Sequence, residues 1–342
     1  MIHELAIDFG VEEIRVAVPG RGIVCRMPSS VADDVRTGAV AFVGDEAAQK
    51  AKESPSSYRV RYPFRGEWVL GERCAPLACE LLTVARKRVY GDATDVRLLL
   101  SIPCGLSDEE EYAVAELGHS AGFAEVFLVY SPIAALVGGG CSLEETFLAV
   151  NVGSLFTDIV VVSGGNLVYR ALHSASGRVF NEAIAKYVLS KEHLKLHYNE
   201  AERIKLAIGT VWSEEEPRSV TAVGTDARGA VNRIEISSSE MFTALEEPCA
   251  ELLDAIHTAA VRVPLEAVPA LVKTGILLYG GGAKLRGLTQ MISGITGFRT
   301  TLAKHPEDAV AEGLSMILPT LPEKIAVPNV SAIACKTNSY LY

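Results

Sequence analysis

Two distant stretches of this chain follow the same apolar rhythm. Residues 2–7 (IHELAI) predict a strand, Asp8-Phe9-Gly10 a tight turn, and Ile14–Val18 a second strand. Residues 147–150 (FLAV) predict another strand, followed by Asn151-Val152-Gly153 and a returning strand at Ile159–Val162. One constant offset carries Asp8 onto Asn151, Gly10 onto Gly153 and Val16 onto Ile159. This is an internal repeat of a supersecondary unit. It predicts two similar lobes, each opening on a β-hairpin whose turn faces a shared cleft.

Between and after these hairpins the apolar period alternates between strand and helix. Residues 73–90 predict a helix and 96–101 (VRLLLS) a buried strand. A helix over 107–121 starts at Ser107, with Glu110 three residues later in a capping-box spacing. Residues 126–130 (VFLVY) predict a strand, and Ser131-Pro132 open the next helix. The segment 174–210 is largely helical. Alternating residues around GTDARG give a small β-rich region at 218–238, and a helix follows at 239–261. Residues 275–279 (GILLY) form a strand that runs into Gly280-Gly281-Gly282 and a helix. The last residues, from Pro322, read as an irregular tail. The alternation specifies a mainly α/β architecture. With 342 residues the chain suits two lobes rather than one core.

Charge and cysteine usage narrow the function. A net charge of −10 without a basic stripe disfavours a nucleic-acid partner, which needs clustered Lys and Arg. The cysteines are Cys25, Cys74, Cys79, Cys104, Cys141, Cys249 and Cys335; their number is odd and no C-x-x-C pair occurs, so reduced, partly buried cytosolic thiols are expected. No signal-peptide pattern opens the chain, and no apolar run reaches the about 20 residues of a membrane-spanning helix. The expectation is a soluble protein, or one resting on a membrane surface. His193 and His197 are four apart, but no third ligand is evident, so they are read as part of a structural helix and no metal site is assigned.

Several motifs resemble the actin-like ATPases, most closely the bacterial MreB family. The family's opening Asp-Leu-Gly turn and GKGIVLNEPSVVA run resemble DFG (8–10) and GRGIVCRMPSSVA (20–32). Its VGxEAK, RPLRDGVI and IPxGxTxVERRA resemble VGDEAAQK (43–50), YPFRGEWV (62–69) and IPCGLSDEEEYA (102–113). EVFLVYSPIAALVG (125–138), AERIKLAIG (201–209) and GGGAKLRGLT (280–289) are similar to family segments too, in the same order and spacing, so the likeness covers about residues 5–318.

The resemblance implies an actin-like (ribonuclease H-like) fold of two lobes, each with a larger α/β subdomain and a smaller one. The first lobe is expected at 1–143, with its smaller subdomain at about 31–60. The second is expected at 144–310, with its smaller subdomain at about 180–240. Residues 311–342 would return to the first lobe and end in the tail. In that family ATP with Mg²⁺ sits between the lobes, and subunits polymerise head to tail. The implied partner is a second copy of the chain, in a filament or protofilament. A membrane surface or membrane-associated protein is a further one, and the implied location is the cytoplasm, peripheral at the inner face of the membrane.

The resemblance also assigns site residues, and here the chain departs from the pattern. The family's DLGTANT is Asp8-Phe9-Gly10-Val11-Glu12-Glu13-Ile14, which keeps Asp8 and Gly10 but places Glu12 and Glu13 where small and polar donors stand. A carboxylate about 4 Å from a phosphate costs about 4 kcal/mol at an effective dielectric near 20. Both Glu side chains therefore either weaken ATP binding or point outward. The family's DIGGGTTE is Asn151-Val152-Gly153-Ser154-Leu155-Phe156-Thr157-Asp158. The metal-side Asp has become an amide, two cradle glycines have become Ser154 and Leu155, and Phe156 adds bulk. GGDRFD is Ser176-Gly177-Arg178-Val179-Phe180-Asn181, so an acidic residue near the ribose has become Arg178. Glu202 and Lys205 match positions near the adenine, though such a pair is usually a solvated helix face. Gly280, Gly281 and Gly282 match the adenosine-side loop. Glu110 matches the residue that positions the attacking water, and reads equally as the capping box.

A cytoskeletal protein of this type with weakened or lost ATP binding and hydrolysis is the leading expectation. An active ATP-dependent filament protein and a non-polymerising actin-fold adaptor are the alternatives. A loop at Arg86–Asp95 with Val89 and Tyr90 beside basic residues is a candidate membrane contact; the alternative is a helix C-terminus whose dipole favours those cations.

Overall fold

The computed structural model describes residues 2–63, 74–213 and 216–321. Most of the YPFRGEWV match, Cys335 and the tail from Pro322 lie outside the described residues. Two compact units divide the chain: Met1–Glu144 with Gly164–Leu167 and Asp308–Tyr342, and Glu145–Ser163 with Val168–Glu307.

The first unit opens with β1 (His3–Phe9), β2 (Glu13–Val18) and β3 (Gly22–Pro28). Strands β4 (Val31–Asp34), β5 (Val40–Val43) and β6 (Tyr58–Arg61) form a separate three-stranded sheet beside α1 (Asp45–Glu53). Helix α2 (Ala75–Tyr90), β7 (Val96–Ile102), α3 (Asp108–Ser120), β8 (Glu125–Tyr130) and α4 (Ser131–Gly138) follow. The main sheet has the order β3-β2-β1-β7-β8, with the hairpin strands antiparallel and β1-β7-β8 parallel. Every residue of β7 is buried, as a parallel strand covered on both faces requires. Its Arg97 tolerates this because Glu125 lies at 2.8 Å and Glu4 at 3.6 Å.

In the second unit β9 (Phe147–Val152), β10 (Thr157–Ser163) and β11 (Asn166–His173) lead to α5 (Gly177–Glu192). Strand β12 (Lys195–Leu196), α6 (Tyr198–Ile208), β13 (Ser219–Thr225) and β14 (Val231–Ser237) follow, the strands making a three-stranded sheet. Helices α7 (Ser238–Ala260) and α8 (Val268–Thr274) precede β15 (Ile276–Tyr279), the 3-10 turn Gly281–Lys284, α9 (Leu288–Thr296) and β16 (Thr300–Leu302). The main sheet runs β11-β10-β9-β15-β16, with β9-β10 antiparallel and β9-β15-β16 parallel. The repeat seen in the hairpins thus extends to the order of the whole sheet. One core of Leu148, Val150, Ile159, Phe180, Ile184, Leu252 and their neighbours joins this sheet to α5, α6, α7 and α9.

The chain returns to the first unit as α10 (Ala309–Ile317), which packs against α4. Two glycines set that crossing. A Cβ on Gly313 would lie 1.7 Å from the Ala134 carbonyl oxygen, and one on Gly138 would lie 2.1 Å from that of Ala309. The backbones touch only because neither residue has a side chain. Among the described residues no single helix is long and apolar enough to cross a membrane.

Gly313→Ala should therefore force the helices apart and cost about 3 kcal/mol in urea unfolding. Gly281→Ala, with only Glu307 Oε1 nearby at 3.7 Å, should shift stability by less than about 0.5 kcal/mol. Equal effects of the two would contradict this packing.

Candidate functional site

Each main sheet carries its turn residues at the same register. In the first unit Asp8 is paired across the hairpin with Arg15, and Arg15 with Arg26 on β3. Directly paired residues share a face, so the three side chains stand in a row. Arg15 lies 3.9 Å from Asp8, 2.8 Å from Glu13 and 3.0 Å from Asp308. Arg26 holds Asp308 with two nitrogens at 2.7 and 2.8 Å and reaches Glu13 at 3.7 Å. Ser101 donates from Oγ to Asp8 Oδ1 at 2.9 Å and accepts from the Phe9 amide. Burial pushes the Asp8 carboxyl up from 3.8 to about 6; Arg15 and the Ser101 hydrogen bond offset part of that. The hydrogen bond from Arg26 holds Asp308 below its ordinary value.

The two turn carboxylates are thereby distinguished. Glu12 is exposed, while Glu13 is neutralised by two arginines, an arrangement beyond the inward and outward alternatives read from sequence. Gly10 closes the turn with its carbonyl accepting from Ser29 Oγ at 2.6 Å, and the Ser29 amide donates to Glu12 O. On α3, Glu110 forms the capping box: its Oε2 accepts from the Ser107 amide at 2.8 Å, and its own amide donates to Ser107 Oγ.

In the second unit the corresponding pair is Asn151 and Asp158. Asn151 Nδ2 donates to Asp158 Oδ2 at 3.2 Å, and Asp158 is buried. The turn is closed on itself and on α5. Gly153 N donates to Phe156 O at 3.0 Å. The first two amides of α5, Gly177 and Arg178, donate to Gly153 O and Ser154 O at 2.9 and 2.8 Å. These are the amides that a helix N-terminus offers to an anion. Leu155 is buried and Phe156 half-buried; Thr157 is buried and donates to Ala175 O.

Lys205 is not on a solvated face, which corrects that reading for it, while Glu202 stays half-exposed. Lys205 is buried, and its Nζ reaches Gly177 O at 3.1 Å and Glu202 Oε2 at 2.8 Å. Asn181 Nδ2 donates to the same Glu202 oxygen at 2.6 Å. Three buried polar atoms at the start of α5, Ser176 Oγ, Arg178 Nε and Asn181 Oδ1, have no hydrogen-bond partner among the described residues; Arg178 Nε lies 3.6 Å from Glu182. Gly280 has φ +85°, and a Cβ there would lie 2.2 Å from Asn151 Oδ1, so this loop runs hard against the end of β9. Gly282 meets Val152 as closely, whereas Gly281 is open.

These details test the implied nucleotide and metal. The nucleoside side fits: orphaned Ser176 Oγ and Asn181 Oδ1 want hydroxyl or amine partners, beside the buried Lys205 and its half-exposed partner Glu202. The metal side does not fit. Mg²⁺ favours carboxylates and water, yet Asn151 carries no charge and gives its amide to Asp158, while Asp8 already faces Arg15 and Ser101. Among the described residues no cluster of His, Cys, Asp and Glu has metal-binding geometry.

Two other expectations change. His193 and His197 do not share a helix: His193 ends α5 with φ 53°, and His197 caps α6, its Nδ1 accepting from the Asn199 amide. Arg86–Asp95 is not a free basic loop either. Helix α2 continues through Tyr90, whose hydroxyl donates to Glu4 O and whose ring stacks on His3. Arg86 is buried and donates to Ala121 O and Ala93 O, Arg88 pairs with Asp45, and Val89 is half-buried. Sequence reading missed Arg15, Arg26 and Asp308. Arg15 had a signal, because hairpin register opposes it to Asp8; Asp308 had none.

Comparison with known proteins is consistent over more than nine-tenths of the chain. The MreB/Mbl protein family model matches residues 2–325. The cell shape-determining protein MreB of Escherichia coli (strain K12) is 30% identical over 321 residues, covering 91% of this chain and 92% of that protein. Among solved structures, MreB5 of Spiroplasma citri bound to ADP superposes with a TM-score of 0.86 at 24% identity, covering 94% of this chain and 97% of the other. A MamK double helical filament gives a TM-score of 0.80 at 20% identity, covering 93% and 100%. The fold is actin-like.

Asp8 generates a pH prediction. Its folded value near 6 exceeds the unfolded 3.8, so the folded state holds the proton more tightly. Stability from this group is present at low pH and is lost as pH rises from about 4 to 6, by about 3 kcal/mol at neutral pH. Asp8→Asn should then raise the melting temperature at pH 7.5 and lose that advantage at pH 4.5. A difference independent of pH would count against it.

Proposed function

The chain belongs to the MreB/Mbl family, and on that premise we propose an actin-like cytoskeletal protein that forms or joins filaments with weakened or lost ATP binding and hydrolysis. The observation that carries the reading is the self-satisfied second turn. Its carbonyls take the α5 amides Gly177 and Arg178, and Asn151 bonds Asp158. Phosphoryl transfer relies on positioning and metal-assisted neutralisation of charge. The α5 amides of Gly177 and Arg178 must leave the turn carbonyls before they can donate to phosphates, and the carboxylate that would face the metal is an amide.

The nucleoside end supports a residual affinity. Ser176 Oγ and Asn181 Oδ1 lose the water they would bond in the unfolded chain and gain no described partner. A ligand with hydroxyl or amine groups would supply one. Adenosine and ATP are expected to bind with similar, modest affinity, unaffected by chelator. Ser176→Ala should weaken that binding while leaving the ligand-free protein as stable or up to about 1 kcal/mol more stable.

The expected work place is the cytoplasm, and self-association is the expected partnership, as in the MamK filament. Membrane contact through Val89 and Tyr90 draws no support from their packing.

Pelleting and electron microscopy across a concentration series, with ATP, ADP, chelator and no additive, test the reading together with phosphate release. Filaments are expected at similar critical concentration in every condition, with negligible release. A critical concentration that falls severalfold only with ATP and Mg²⁺, and release abolished by Glu110→Ala, would overturn it. Absence of filaments in all conditions would instead favour a non-polymerising adaptor.

A further inference from the structure

The row on the first hairpin has a composition that the second hairpin lacks. Arg15 and Asp158 occupy equivalent register positions, opposite Asp8 and Asn151. The second hairpin pairs a neutral amide with its carboxylate at 3.2 Å. The first instead gathers three carboxylates, Asp8, Glu13 and Asp308, around the Arg15 guanidinium at 3.9, 2.8 and 3.0 Å. Arg15 is largely buried, with 14% of its side chain accessible, and Asp8 is equally sheltered at 13%. Arg26, more exposed, closes the set from outside. We propose that Arg15 is a built-in counter-cation of the first turn, standing in for the divalent metal that the fold family would bring there.

The physical case is one of charge balance. Three carboxylates so close cannot all ionise at modest cost without a central cation. A guanidinium offers several donors in fixed directions and stays charged at every working pH, so it neutralises them without binding equilibrium or exchange. A divalent cation at the same place would add charge next to Arg15 and Arg26 and would have to displace their hydrogen bonds. The first unit should accordingly be indifferent to Mg²⁺. The inference rests on the reading that the metal end of the site is lost, but its test uses metal alone. Phosphate release and pelleting judge that reading separately.

The experiment is thermal unfolding in chelator, Mg²⁺ or Ca²⁺, each at matched ionic strength and without nucleotide. The wild-type melting temperature should be the same in all three. Arg15→Gln should melt several degrees lower in chelator and recover much of that loss with Ca²⁺ or Mg²⁺, because the vacated carboxylates then accept a cation. Arg15→Lys, which keeps the charge, should stay indifferent, and Arg15→Gln with Asp308→Asn should lose the divalent response. If Arg15→Gln is unfolded in every buffer, Arg26→Gln, which removes the exposed part of the set, carries the same comparison. A wild-type protein stabilised by Mg²⁺ alone, or folded Arg15→Gln or Arg26→Gln protein with no divalent response, would overturn the proposal.

Discussion

Register between the two strands of each opening hairpin is the constraint on which both units depend. Because side chains alternate across a strand, a slip of one residue would turn Ile14 and Val16 to the polar face and Glu13 and Arg15 into the core. In the second unit β10 is buried on both faces from Thr157 to Val162, so a slip there would move Asp158 away from Asn151. Both registers carry a polar pair one step before the last pair at the turn, Asp8 with Arg15 and Asn151 with Asp158. The apolar face fixes which way the strands lie. The polar pair fixes where the turn begins, and through it the position of every group that a ligand would meet.

From that shared geometry the two turns diverge chemically. The first is over-supplied with acid and answers with arginine. The second carries an amide at the turn and directs it and its carbonyls inward, to Asp158 and to the start of α5. Neither change disturbs the sheets, whose stability comes from the buried strands β1, β7, β9 and β15. The two units thus share one architecture while their turns differ in chemistry, because site and scaffold draw on different residues.

The buried polar atoms show the same separation. Lys205, Glu202 and Asn181 form a connected set that ties α6 to the first turn of α5. Ser176 Oγ and Asn181 Oδ1 remain over at its edge. An unpaired buried acceptor costs free energy in a ligand-free protein. Its persistence beside glycines that pack against β9 is what distinguishes this end of the second unit from its closed turn.

Sequence by itself determined the element order, the repeat and the family. Each of these rests on periodicity or on short local motifs: alternating strands, the Ser107–Glu110 cap, the Gly280–Gly282 turn. Local physics suffices there, since a capping box or a hairpin is complete within a few residues. Tertiary structure decided what the site's charges do. Whether Glu13 faces a ligand or an arginine, whether Lys205 is solvated or buried, and whether Tyr90 reaches outward or packs on His3 depend on partners far along the chain. Asp308 lies nearly the whole chain away from Arg15 and Arg26, and it reaches them only because glycine-to-glycine contact of α4 and α10 brings the returning chain against the first sheet. No local pattern encodes such a pairing; it exists only once that crossing has formed.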